Sequence, residues 1–172
     1  ARICKKVYLV HRRDEFRAQK HLQNQIKEKE IPTILNATVE EIKGEMLVDF
    51  RGQLEAGAIA FSDDGMPVTD ARMIREAMME ANKLGTFIAE HCEEKSVSAG
   101  AINAGPVARK LEVEGVLPEA EEIMAARDIV IAETNKLHTH ICHISTKTSV
   151  DMIRSAKQRG VNVTCETCPH YY

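Results

Sequence analysis

The sequence predicts an α/β fold organised around a parallel sheet. Three observations point there. From Gly57 onward, short apolar stretches alternate with helix-length amphipathic segments, strand then helix. Two of the helical segments open on capping residues and close on glycine. The 172 residues are 44% hydrophobic and 28% charged, an ordinary globular balance. A complete eight-stranded α/β barrel takes about 250 residues, so a chain of this length supplies only part of one.

In chain order, Lys6–His11 reads as a short buried strand, because its apolar run is rich in β-formers. Asp14 caps a helix lined by Phe16, Leu22 and Ile26, which Pro32 stops. Thr33–Leu35 resumes as a strand, and Val39, Ile42 and Leu47 fall where a further strand pair is expected. Ala58–Phe61 is the first strand of the alternating part, ending at Ser62-Asp63-Asp64-Gly65. A helix then runs from about Asp70 to Leu84, capped by Thr69 or Asp70 and closed by Gly85. Thr86–Glu90 is the second strand, ending at His91, and a loop containing Gly100 and Gly105 follows. Pro118 opens a helix reaching about Thr134. His138–Cys142 is the third strand and ends at His143. Ser145 or Thr146 caps a helix over Thr148–Gln158, Gly160 ends it, and Asn162–Cys165 is the fourth strand.

Composition narrows the function classes. The net charge of −3 and the 4% aromatic content argue against a nucleic-acid binder. No apolar run approaches the roughly 20 residues of a membrane helix, so no membrane partner is expected. The five cysteines are scattered and odd in number, which suits a reducing cytoplasm better than a disulfide framework. The chain opens on Ala1 with neither an initiator Met nor the apolar core of a signal peptide, so it reads as beginning inside a domain. Residues 1–49 carry an excess of basic groups and the remainder an excess of acidic ones.

Polar residues fall at informative places. Asp63 or Asp64, His91 and His143 each sit at the C-terminal end of a predicted parallel strand. Ligands and catalytic groups collect at that edge in α/β folds. Two imidazoles and a carboxylate suit a divalent ion such as zinc, whose bound water loses its proton near neutral pH. The same residues also fit hydrogen-bonded structural histidines and an Asp-Gly turn.

Longer motifs sharpen the choice. Gly57-Ala58-Ile59-Ala60-Phe61-Ser62-Asp63-Asp64-Gly65, Glu90-His91-Cys92-Glu93, Gly100-Ala101-Ile102-Asn103 and Ala126-Arg127-Asp128 follow in order. His140-Ile141-Cys142-His143-Ile144-Ser145-Thr146 and Val163-Thr164-Cys165-Glu166-Thr167-Cys168-Pro169-His170 complete the series. Together they resemble the bacterial-type dihydroorotases of the amidohydrolase superfamily, from about residue 49 to 172. The resemblance implies a partial (β/α)₈ barrel, one or two zinc ions, and a small cyclic amide substrate in pyrimidine biosynthesis. It implies metal ligation by Asp64, His91 and His143, with Asp64 bridging and Asp63 in support. The family's opening His-x-His-x-Arg motif and its late proton-shuttling Asp have no counterpart here, so this chain alone is expected to be a poor catalyst. Half a barrel exposes two sheet edges, which invites homo-oligomers.

The first section reads differently. Lys6-Val7-Tyr8-Leu9-Val10-His11-Arg12-Arg13-Asp14-Glu15-Phe16-Arg17-Ala18 resembles the NADPH domain of thioredoxin reductase. That resemblance implies a fragment of a Rossmann-like nucleotide-binding domain over residues 1–48. Arg12, Arg13 and Arg17 would then grip the 2′-phosphate of NADPH through forked hydrogen bonds. The expected organisation is a chimeric chain dividing between residues 48 and 49. An NADPH-dependent disulfide reductase and a non-catalytic α/β remnant are the alternatives. Flavin absorbance would mark the first and lack of bound zinc the second. Cys165-Glu166-Thr167-Cys168 resembles a redox pair, but Pro169 follows it and Cys165 belongs to a strand, so no redox role is assigned. His140 is given nothing beyond support of a metal ligand.

Overall fold

The computed structural model describes residues 9–11, 33–35, 40–41, 47, 49–63 and 65–171. Strands β1 (Leu9–His11) and β2 (Thr33–Leu35) pair in parallel as a separate two-stranded sheet. Among the described residues, the main sheet has five parallel strands. Its order is β3 (Glu40–Glu41), β4 (Phe61–Ser62), β5 (Ile88–Glu90), β8 (Thr139–Ile141) and β9 (Val163–Cys165). Strands β6 (Ile102–Asn103) and β7 (Gly115–Val116) form a small parallel pair of their own.

Helices α1 (Phe50–Glu55), α2 (Ala71–Lys83), α3 (Pro106–Lys110), α4 (Glu119–Asn135) and α5 (Lys147–Gln158) connect them. The choice between caps resolves simply. Asp70 accepts the Met73 N–H at 2.7 Å and starts α2. Thr146 accepts the Ser149 N–H at 3.2 Å and starts α5. Each satisfies a donor that the first helical turn leaves unpaired.

Helices α1, α2, α4 and α5 pack on the sheet face that carries Phe61, Ile88, Ile141 and Val163, all essentially without solvent exposure. Two apolar clusters fill that layer. Phe61, Ile74, Met78 and Ile88 anchor the one beneath α2. Met124, Ile129, Ile141, Ile153 and Val163 anchor the one beneath α4 and α5. Side chains alternate along a strand, so Ala89, His140 and Thr164 point to the opposite face.

Three expectations are corrected. The strand expected over Ala58–Phe61 begins only at Phe61, because the Ala58 N–H bonds to the Gln53 carbonyl at 3.0 Å and ties that stretch to α1. Of the strand pair expected around Val39, Ile42 and Leu47, Leu47 lies in no strand and Glu40–Glu41 forms β3 in parallel register with β4, while Val39 and Ile42 lie outside the described residues. Helix α1 was not foreseen. Asp49 caps it by accepting the Gly52 N–H at 3.0 Å, and Phe50 anchors it edge-on against Phe61 at 4.5 Å. A six-residue helix with one buried side chain shows no hydrophobic period in the sequence. No described helix is long and apolar enough to cross a membrane.

Candidate active site

Strand β5 ends at Glu90 and strand β8 at Ile141, and these two residues are register partners. The next backbone bond, from Cys142 N–H to the Glu90 carbonyl at 3.0 Å, keeps the chains together past the strand ends. The two segments therefore deliver His91 and His143 to one rim. Nδ1 of His91 lies 2.8 Å from Nε2 of His143, and the rings meet edge to face at 4.7 Å. His143 has φ 35, in the left-handed region where a side chain is strained, so the turn that aims its ring is held by its surroundings.

Those surroundings are identifiable. The Glu121 carboxylate, on the first turn of α4, accepts the N–H groups of Ser145 at 2.8 Å and Thr146 at 3.1 Å. It also accepts their hydroxyls at 2.5 and 3.1 Å. Burial works to raise the Glu121 pKa, but the bonds from Ser145, Ser149 and Thr146 outweigh it and the value falls. On the other side, Nε2 of His91 faces Glu93 at 3.1 Å. Glu93 also accepts from Lys95 and Ser98, and these partners, Lys95 foremost, hold its pKa down at about 2. With Nε2 donating to an ionised carboxylate, Nδ1 of His91 keeps its lone pair toward His143.

Asp63 is fully buried at the end of β4. It accepts the His91 N–H at 2.6 Å and the Val68 N–H at 3.1 Å. Burial raises its pKa, and the same two N–H groups pull it back in part. It pins the backbone of His91 from beneath. Asp64 lies outside the described residues, as do Arg12, Arg13 and Arg17. The structure thus brings two of the three expected ligands together. Glu93 and Glu121 had no role in the sequence reading. Glu93 could have been found two residues beyond His91; Glu121 acts across 24 residues and leaves no local signal.

A cavity of about 590 Å³ opens over the pair, lined by His91, Glu93, Asn103, Glu121, His143 and Lys147. Small-molecule sites span about 300–1,000 Å³. Two half-buried imidazoles facing each other across it, each steered by a carboxylate on its far side or its loop, form a donor set suited to a divalent cation. Behind the rim, Glu90 is buried with neither carboxyl oxygen partnered among the described residues. Burial first, then the charges of Asp128 and Asp63, push its pKa well above the usual carboxylate value.

The sequence pattern described as dihydro-orotase-like matches residues 11–149. A dihydroorotase of Pelotomaculum thermopropionicum is 48% identical over 131 residues, covering 76% of this chain and 31% of that protein. A dihydroorotase of Aquifex aeolicus is 43% identical over 129 residues, covering 75% and 31%. The chain therefore spans about a third of the length of the curated relatives it matches. Among solved structures, the dihydropyrimidinase of Brevibacillus agri NCHU1002 aligns with TM-score 0.59 and 17% identity, over 96% of this chain and 39% of that one. A D-hydantoinase from Bacillus sp. AR9 aligns with TM-score 0.58 and 18% identity, again over 96% and 39%. At these identities the structural likeness concerns the fold.

Proposed function

The chain belongs to the dihydro-orotase-like family, and on that premise we propose that it carries the metal-binding rim of a zinc-dependent cyclic amide hydrolase. The reaction assigned is that of a dihydroorotase, the reversible conversion of N-carbamoyl-L-aspartate to dihydroorotate in pyrimidine biosynthesis. The barrel to which this rim belongs is an eight-stranded one, of which the five-stranded sheet is a part. The odd number and scattered spacing of the five cysteines suit a cytoplasmic enzyme.

One observation carries the reading: His91 and His143, from different strands, face each other at 2.8 Å inside a cavity of ligand size. His91, His143 and, by motif, Asp64 would hold the ion. When bound, a divalent ion supplies Lewis acidity toward an amide carbonyl and lowers the pKa of water. Asp63 fixes the His91 backbone, Glu93 fixes its ring tautomer, and Glu121 braces the loop behind His143.

The division of the chain at residues 48 and 49 rests on the change of motif and charge. The pairing of β3 with β4, and a family match that begins at residue 11, both run across it. The NADPH reading of Arg12, Arg13 and Arg17 rests on their motif alone.

Zinc retained after gentle purification tests the site. The double variant His91→Ala, His143→Ala is expected to lose at least tenfold in zinc affinity at this position; unchanged binding overturns the reading. The 172-residue chain itself is expected to open dihydroorotate poorly or not at all. Turnover by the isolated chain at the rate of a full-length relative would contradict that part alone.

A further inference from the structure

A second ligand cluster lies one strand over, between β8 and β9, and the histidine pair at the ends of β5 and β8 does not use it. The parallel register pairs His140 with Thr164 and Ile141 with Cys165. The ladder continues beyond the strands, with Glu166 N–H bonding to the Ile141 carbonyl at 3.2 Å and Ile144 N–H to the Glu166 carbonyl at 2.9 Å. Residues two apart share a face, so His140 and Cys142 on one chain meet Thr164 and Glu166 on the other. One ligand atom from each of His140, Cys142 and Glu166 lies within 4.8 Å of the other two.

The imidazole is already oriented for such a role. Nδ1 of His140 sits 2.8 Å from the Thr164 hydroxyl. The Thr164 hydroxyl thereby holds the ring by one of its two nitrogens. This is the arrangement by which a neighbour fixes a metal-binding histidine. Cys142 contributes its half-buried thiol sulfur to the cluster. Glu166 is exposed at the mouth, which gives an ion a path from solvent.

We infer that His140, Cys142 and Glu166 form a site for one thiophilic divalent cation of the zinc or cobalt kind, with a ligand set separate from His91 and His143. Nitrogen, thiolate sulfur and carboxylate oxygen from three residues leave a fourth tetrahedral position open. Binding takes Cys142 as the thiolate, its proton leaving to solvent.

Cobalt(II) titration of the metal-free chain tests this. A thiolate ligand gives a sulfur-to-cobalt charge-transfer band in the near ultraviolet, which a site of histidine and carboxylate cannot give. The band is expected in the parent chain and absent in Cys142→Ser. It is expected to survive in the double variant Cys165→Ser, Cys168→Ser, and in the double variant His91→Ala, His143→Ala. Thr164→Val, which removes the group orienting His140, is expected to weaken cobalt binding at the band by about 10- to 100-fold. Circular dichroism of each variant confirms that the fold is retained. No band in the parent at saturating cobalt, or a band unchanged in Cys142→Ser, overturns the inference. Neither result bears on the sulfur-free pair at His91 and His143, whose own test is zinc loss.

Discussion

A single carboxylate, Glu121, shows how one residue can set the geometry of another some distance away. It gathers two N–H groups and two hydroxyls from the loop that follows His143. Those bonds lower its pKa from the usual 4.5 against the pull of burial. A carboxylate whose folded value lies below its unfolded value contributes stability above the unfolded value and loses it as pH falls through the folded one. Glu121→Ala leaves the loop donors without their acceptor and is expected to cost about 2 kcal/mol in urea denaturation at neutral pH. Glu121→Gln is expected to remove the part of the acid-induced loss of stability that sets in below the unfolded value of 4.5. An unchanged denaturation midpoint in Glu121→Ala, or an unchanged acid limb in Glu121→Gln, would show that the loop is held by other contacts.

At the level of elements, the sequence shows what repeats and hides what is short. Helices α2 and α5 were legible because each has an apolar stripe, a capping side chain and a glycine beyond its end. Helix α4 was legible from Pro118 and from its length, although its buried residues ring much of the helix rather than one stripe. The rim histidines were legible because a polar residue ending an apolar strand stands out. Helix α1, α3 and the β6–β7 pair were not, since two- to six-residue elements carry no period. The small pair depends on close backbone approach at two glycines. A Cβ on Gly100, which has φ +105, would lie 2.1 Å from the Glu114 carbonyl oxygen. One on Gly115 would lie 2.4 Å from the Ala104 Cα. Backbone cannot retreat as a flexible side chain can, so Gly115→Ala is expected to separate β6 from β7. Hydrogen exchange should then quicken at Ala104, whose N–H bonds to the Val116 carbonyl at 2.8 Å, while the five-stranded sheet keeps its protection. Protection at Ala104 equal to that of the parent would show that the loop accommodates the methyl group.

For the whole molecule, the decisive feature is a parallel sheet whose helices, among the described residues, lie on one face. Such sheets are ordinarily covered on both faces. Here the second face carries His138 and His140 with Thr164 between them, at 3.1 and 2.8 Å from its hydroxyl. Phe87 lies against the first of these rings at 4.5 Å. Burial lowers the pKa of both histidines, so neutral rings line that face at neutral pH. Among the described residues, β9 pairs only with β8, and its outer edge presents unmatched backbone groups. A face of neutral rings beside an open edge favours pairing with a second copy. The weight-average sedimentation coefficient of the 172-residue chain is therefore expected to rise with concentration. Cys165 is exposed on that edge strand, and a lysine there sets like charges against each other across any edge-to-edge contact. Cys165→Lys should flatten the concentration dependence while leaving the near-ultraviolet cobalt band in place. A sedimentation coefficient independent of concentration in the parent, or a Cys165→Lys variant that associates as strongly, would mean that β9 is not the associating edge.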